Sequence, residues 1–338
     1  MLKRKSVYIL STGGTFSMQK TAHGYAPAPG YLKKAMEKIP ELKNADMPNY
    51  TVEEYAHPID SADMSCEHWM QIGDHIKKNY AQYDGFVILH GTDTMAYSAS
   101  ALSFILENLD KPVILTGAQL PLFETRSDAR ENLINALWMA GNYPIPEVCI
   151  YFNNKLFRGN RAKKIDANSF AAFDSPNFPA LGKVGTEVRL RRELIRPTAH
   201  EHFTLQTIKP AVIAAIRVFP GVSFTLLEQL IHAPLQALIL ETYGVGTAPQ
   251  DPRFINMLQK IVDRGVVVLN CSQCIYAKVK MTDYANSNAL IQAGVLSARD
   301  MTVEAALAKL FYLFSKELSL ETIKTQVVTN LRGELTVI

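Results

Sequence analysis

Two short strings hold residue types suited to nucleophilic catalysis. Thr12-Gly13-Gly14-Thr15 follows the apolar run Val7–Leu10, and His90-Gly91-Thr92-Asp93-Thr94 follows the apolar run Gly85–Leu89. Adjacent glycines let a backbone turn sharply, approach a ligand closely and leave N–H groups free to hold a developing negative charge. The flanking threonines bring hydroxyls to the same turn, and such a hydroxyl becomes a nucleophile when a proton acceptor stands nearby. Taken alone, TGGT also reads as an ordinary glycine turn. Thr92, Asp93 and Thr94 also read as caps of a helix starting near Met95. Two other chemistries fall away. No Gly-Lys-Ser/Thr follows the glycines, as a phosphate loop needs, and no third glycine stands at dinucleotide-binding spacing.

Both strings need elements to hold them. Strand-like runs Val7–Leu10, Gly85–Leu89, Lys111–Thr116 and Glu147–Phe152 alternate with helical stretches over Glu67–Tyr80, Ala96–Asn108 and Arg130–Gly141. In the second of these helices Ala99, Leu102, Phe104 and Ile105 recur near helical spacing, with Leu109 just beyond. Strands apolar on both faces that alternate with helices predict a mainly parallel sheet covered by helices. In such sheets ligands bind beyond the carboxyl ends of the strands, which is where both strings lie. The pattern fades near Phe173. Asp174–Gly185 is rich in Pro and Gly, and Arg189–Arg196 carries five charged residues beside Pro197, read as a solvated strand and turn. From Ala211 the alternation restarts. Strands are expected at Ala211–Val218, Ala237–Leu240 and Gly265–Asn270. Helices are expected at Ser223–Ile231, Arg253–Asp263, Ala285–Gln292, Thr302–Ser315 and Ser319–Val327. The expected division is a larger α/β domain over 1–190, a linker over 191–210 and a smaller α/β domain over 211–338.

Composition narrows the class. The 338 residues fit about two domains, and 48% hydrophobic with 20% charged residues excludes intrinsic disorder. Thirty-five basic against 32 acidic side chains give a net charge of +3, without the dense basic face of a nucleic-acid binder. The apolar run after Lys3-Arg4-Lys5 is too short for a secretory signal, and no window reaches the ~18–20 apolar residues of a membrane span. The chain is expected to be cytoplasmic, with no nucleic-acid or membrane partner. Cys271-Ser-Gln-Cys274 has redox or zinc spacing, but no second pair accompanies it. His200 and His202 read as surface residues. No metal and no organic cofactor is expected.

TGGT after a first strand with HGTDT after a later one resembles the bacterial-type L-asparaginases, most closely the cytoplasmic type I subgroup. The likeness spans essentially the whole chain. It includes Gly24-Tyr25, Asp60-Ser61-Ala62-Asp63-Met64, Thr116-Gly117-Ala118-Gln119, Arg158-Gly159-Asn160-Arg161 and Tyr243-Gly244-Val245-Gly246. Phe16 departs from the family pattern, which has Ile or Val there. The resemblance implies a fold of two mainly parallel α/β domains, the first flavodoxin- or Rossmann-like. It also implies hydrolysis of L-asparagine through a threonine ester and a homodimer or homotetramer.

The resemblance assigns Thr15 as nucleophile, with Tyr25 as its hydrogen-bond partner. Thr92, Asp93 and a lysine form a triad. Lys164 fits the family spacing from Gly159 better than Lys163 does. Tyr25 and the Thr92–Lys164 pair stay as alternative acceptors of the Thr15 proton. Asp93 would hold the substrate's α-ammonium, Ser61 with Asp60 its α-carboxylate, and the Ala118 carbonyl its leaving amide nitrogen. Glu241 stands just before YGVG, where some relatives place an arginine at a second asparagine site, so activation by asparagine is expected to be weak. The competing readings are a glutaminase-asparaginase or an amidase for larger amides, and a ligand sensor without turnover.

Overall fold

The computed structural model describes residues 4–22, 24–27, 30–281 and 285–337; side chains at 17, 21, 25–27, 226 and 285–287 are not among those described. The chain divides into two compact units, residues 1–207 and 208–338.

The first unit is built on an eight-stranded sheet. Its strands are β1 (Ser6–Gly13), β2 (Asn49–Ile59), β3 (Gly85–Leu89), β4 (Val113–Thr116), β5 (Val148–Phe152), β6 (Lys155–Arg158), β7 (Gly182–Val184) and β8 (Val188–Leu190). They lie in the order β8-β7-β6-β5-β4-β3-β1-β2. From β2 to β5 every pair is parallel, and from β5 to β8 every pair is antiparallel. The order 2-1-3-4-5 places the reversal of direction between β1 and β3, the crevice where open sheets of this kind bind ligands. TGGT ends β1 and HGTDT follows β3, so the two strings flank that crevice.

β3 and β5 are buried at every position, as expected for strands covered on both faces. Three helices, α1 (Cys66–Asn79), α2 (Met95–Ile105) and α3 (Ala129–Asn142), connect the parallel strands β2 to β5 in turn. Ten of the eleven residues of α2 are buried. The sequence pattern carries this helix to Asn108, three residues too far. Leu106–Glu107 instead pairs with Thr204–Leu205, and Asn108 turns left-handed at φ 60°. The edge strand β2 has no clear strand pattern in the sequence. This edge strand mixes Tyr50 and Val52 with Glu53, Glu54, His57 and Pro58, and such charges and prolines blunt a sheet edge while hiding its period. The Pro- and Gly-rich stretch read as leading into a linker holds β7, and β8 follows it; both are antiparallel edge strands of the main sheet. Arg189 beside Glu187 is exposed there, as are Arg191, Arg192, His200 and His202. Phe16 is fully buried in the same core cluster as Val7, Leu32 and Leu89.

The second unit holds a four-stranded parallel sheet, β9 (Ile213–Arg217), β10 (Ala237–Thr242), β11 (Val267–Ser272) and β12 (Leu296–Ser297), in that order. Helix α4 (Pro252–Asp263) begins on the Asp251 cap with Pro at its first position, and buries Phe254, Met257, Leu258 and Ile261 at helical spacing. Cys66, Cys149 and Cys271 are buried free thiols, and Cys274 is exposed. Among the described residues no helix is long and apolar enough to cross a membrane.

One buried ion pair stands inside this unit. Lys309, on helix α5 (Val303–Phe314), meets Glu334 at 2.5 Å with both side chains fully buried. Burial pushes the Lys309 amine below its ordinary pKa, and Glu334 opposes that shift. Removing one partner leaves an uncompensated charge, which costs about 3–5 kcal/mol, whereas replacing both with apolar groups is often neutral. Glu334→Ala is therefore expected to lower the thermal unfolding midpoint sharply. The double variant Lys309→Met/Glu334→Leu recovers most of the loss, as differential scanning calorimetry will show.

Candidate active site

Four loops beyond the carboxyl ends of the parallel strands meet through glycines. Gly13 and Gly14 have φ of 126° and 78°, conformations that disfavour a side chain. A Cβ on Gly13 would lie 2.5 Å from the Ile59 carbonyl oxygen, and one on Gly14 would lie 2.5 Å from Gly91 Cα. A Cβ on Gly91 would strike Ser61 Oγ at 2.5 Å, and one on Gly117 the His90 carbonyl oxygen at 2.4 Å. The loops after β1, β3 and β4 are thus nested backbone against backbone, and the Ser61 side chain from the loop after β2 packs against Gly91. Thr15 opens a short 3-10 turn one residue past the Gly14–Gly91 crossing, and Thr92 stands one residue past it on the other side.

Lys164 reaches this crossing from the short strand Lys163–Lys164, paired with Phe173–Asp174. Its Nζ donates to Thr92 Oγ1 at 2.8 Å and to Asp93 Oδ1 at 2.6 Å. The Lys164 side chain is 18% exposed and that of Asp93 67%, so the pair lies at the mouth of the site with its lysine inside. Of the two lysines weighed from the sequence, Lys164 is the one that touches Thr92. Ser61 is buried, with Asp60 capping its turn through a bond from Ala62 N–H at 3.0 Å. Thr94 caps no helix with its side chain. Its hydroxyl donates to the Ser61 carbonyl at 2.6 Å and ties the loop after β3 to that after β2.

Ala118 is buried on the loop after β4. The N–H of Gln119 donates to both Asp128 oxygens at 3.0 and 3.1 Å, so the carbonyl of Ala118, trans to it across the same peptide, points away from Asp128. Tyr25 lies on the strand Gly24–Pro27, paired with Lys20 on Met18–Thr21. Its side chain falls outside the described residues. Glu241, at the end of β10 in the other unit, pairs with Arg217 at 3.1 Å. Among the described residues no group of three or more His, Cys, Asp or Glu side chains is placed to hold a metal ion.

The sequence reading gave no role to His90 or Gln119. His90 is fully buried. Trp69 Nε1 donates to Ser98 Oγ at 3.0 Å, Ser98 Oγ meets His90 Nε2 at 2.9 Å, and His90 Nδ1 meets the Gly91 carbonyl at 2.6 Å. A carbonyl only accepts, so Nδ1 carries the hydrogen and Nε2 accepts from Ser98. Desolvation pushes the imidazole pKa down to about 4, against the opposing bond to Gly91. His90 is therefore a neutral brace for the Gly91 turn.

A parallel sheet with its switch point at a glycine crossing sets a threonine hydroxyl beside a lysine–aspartate pair, and the similarity to known proteins gives the class as an amidohydrolase. The chain belongs to the asparaginase family. "Asparaginase, N-terminal" matches residues 6–196 and "Glutaminase/Asparaginase C-terminal domain" matches residues 212–326. The chain is 50% identical over 335 residues to L-asparaginase 1 of Escherichia coli K12, covering 99% of both chains. Its fold is similar to that of L-asparaginase I from Vibrio cholerae. There the TM-score is 0.93 with 47% identity, over 99% of this chain and 100% of that one. The L-asparaginase of Thermococcus kodakarensis is similar at TM-score 0.88 and 32% identity, over 98% of this chain and 100% of that one.

A buried imidazole held neutral has a sign in stability. Its folded pKa, about 4, lies below its ordinary 6.5. The unfolded chain therefore binds a proton that the folded one refuses, and stability falls as pH drops from 6.5 towards 4. The loss from this group is on the order of 3 kcal/mol. His90→Asn removes that dependence whatever it does at neutral pH. The drop in urea unfolding free energy between pH 7 and pH 4 is expected to be smaller by about that amount in the variant.

Proposed function

We propose that the protein hydrolyses L-asparagine to L-aspartate and ammonia through an ester formed on Thr15. The observation that carries this reading is the Gly14–Gly91 crossing, with Thr15 on one side, Thr92 on the other and Lys164 bonded to Thr92 and Asp93. The names of the relatives from Escherichia coli, Vibrio cholerae and Thermococcus kodakarensis support it.

In the first step Thr15 Oγ1 bonds to the side-chain amide carbon, the carbon–nitrogen bond breaks, and the threonine proton leaves on ammonia. Water then attacks the ester and restores the hydroxyl. Backbone N–H groups at the two glycine turns stabilise the oxyanion of each step. One oxygen of Asp93 is on Lys164, and its side chain is largely exposed, so an incoming α-ammonium meets a carboxylate oxygen. Ser61 and Asp60 face the α-carboxylate end, and the Ala118 carbonyl takes the leaving amide nitrogen. Tyr25 is the partner of Thr15. The catalytic domain is residues 1–190, and a smaller domain follows at 211–338. The active protein is a cytoplasmic homodimer or homotetramer.

Three measurements test this. Thr15→Ala is expected to lower kcat by at least ~10³-fold and Lys164→Met by at least ~100-fold, read as ammonia release from asparagine. A head group held at a set distance makes the pocket prefer asparagine to glutamine by one methylene, an expected ~10–200-fold in kcat/KM. A glutamine value equal to or above the asparagine value refutes the substrate. With Glu241 in an ion pair with Arg217 where an effector carboxylate would bind, the asparagine rate curve is expected to be hyperbolic.

A further inference from the structure

We infer that Gln119 is a positioning residue that fixes the direction of the Thr92 hydroxyl, so that Thr92 meets the attacking water with a lone pair and not with its hydrogen. This rests on the reading of Thr15 as nucleophile and deepens it.

The direction follows from donor and acceptor counts. Gln119 Nε2 donates to the carbonyls of Ala167 at 3.0 Å and Ser169 at 3.2 Å. Both amide hydrogens are thereby committed, and Oε1 is the atom turned to Thr92, at 3.2 Å. An amide oxygen only accepts, so the single hydrogen of Thr92 Oγ1 points at Gln119. The 2.8 Å contact between Lys164 Nζ and Thr92 Oγ1 is then a donation from the lysine. The bonds run one way, from Lys164 to Thr92 to Gln119, and aligned bonds of this kind polarise one another. One lone pair of Thr92 is left over.

The amide is braced against turning over. Besides the two bonds from Gln119 N–H, Asp128 accepts from Leu120 N–H at 3.1 Å and from Asn132 Nδ2 at 3.2 Å. Asn132, itself buried, also donates to the Gly117 carbonyl at 3.0 Å. The whole loop after β4 is thus pinned from behind. Rotating the amide would bring its oxygen against the carbonyls of Ala167 and Ser169. The Thr15 mechanism by itself makes no use of Asp128, Asn132 or the carbonyls at 167 and 169. They have a common purpose if Gln119 must keep one face towards Thr92.

The step affected is hydrolysis of the ester. The water oxygen bonds to the acyl carbon and the bond from that carbon to Thr15 Oγ1 breaks. One water proton ends on Thr15 Oγ1, and the other leaves with the product carboxyl group. Thr92 takes no net proton. It accepts a hydrogen bond from the water and so turns the water's own lone pair towards the ester. A reversed hydroxyl would donate to that lone pair and occupy the electrons needed for attack. Ammonia release precedes this step and does not depend on it.

The experiment is rapid-quench ammonia release from asparagine by Gln119→Leu, with Thr15→Ala, Thr92→Val and Gln119→Leu/Thr92→Val made alongside. The expected result for Gln119→Leu is a burst of about one ammonia per site and then a steady rate lowered ~10–100-fold, with KM no higher than in the parent. In the Thr92→Val background the same change is expected to alter kcat less than twofold, because Gln119 acts only through that hydroxyl. Asp128→Asn, which loosens the brace and leaves Gln119 in place, gives the same burst with a smaller slowing. Equal slowing in both Thr92 backgrounds, slowing without a burst, or unchanged kinetics in both Gln119→Leu and Asp128→Asn overturns the inference. Full activity in Thr15→Ala refutes the nucleophile itself, and this inference with it. An inactive Thr15→Ala beside a burst-free Gln119→Leu refutes only the role of Gln119.

Discussion

The close approach of Gly14 to Gly91 is the constraint on which the site depends. A methyl group at either position would overlap the neighbouring loop, at 2.5 Å from Gly91 Cα in one case and from Ser61 Oγ in the other. With no side chain between them, the turns after β1 and β3 sit in van der Waals contact, and Thr15 and Thr92 each follow one of the two turns. The strand order makes this possible, because β1 and β3 are adjacent at the point where the sheet's direction of winding reverses. The long crossover through β2 and α1 then brings Ser61 to the same crossing, and β4 brings Ala118 and Gln119.

Around this crossing the polar groups are ordered by direction as well as by distance. One chain of bonds runs from Trp69 through Ser98 and His90 to the Gly91 carbonyl, wholly buried and uncharged. Another runs from Lys164 through Thr92 to Gln119, closer to solvent and anchored on a charged pair. The first keeps the turn in place without placing a charge in the core. The second keeps its charges where water and substrate can reach them. Desolvation explains the division, since an unpaired charge at the depth of His90 would be far costlier than one at Asp93.

Much of this was legible in the sequence, and the exceptions have physical causes. Buried parallel strands are continuous apolar runs, so Gly85–Leu89 could be read to the residue and the others to within a few residues at each end. The edge strand Asn49–Ile59 was not read, because charges and a proline that protect an edge also erase its alternation. The end of α2 was overshot, because what stops it is a pairing with Thr204–Leu205, nearly a hundred residues away. Within the site, Thr15, Thr92 and Asp93 stand in strings that mark themselves. The choice of Lys164 over Lys163 needed a spacing borrowed from relatives, since two adjacent lysines on a short strand look alike until one is seen to reach Thr92. Gln119 and His90 act through hydrogen bonds to backbone carbonyls, and no residue pattern encodes which carbonyl will be near.

The nesting of four loops by glycine contacts also limits how this fold can change over generations. A loop walled by side chains can adjust to a substitution by repacking. A loop walled by the backbone of its neighbour has nothing to yield. Exchanges are therefore excluded at Gly13, Gly14 and Gly117 together, and new substrate preferences must be explored at positions outside that set. The chain around Phe123, which stands 53% exposed, is where such drift has room.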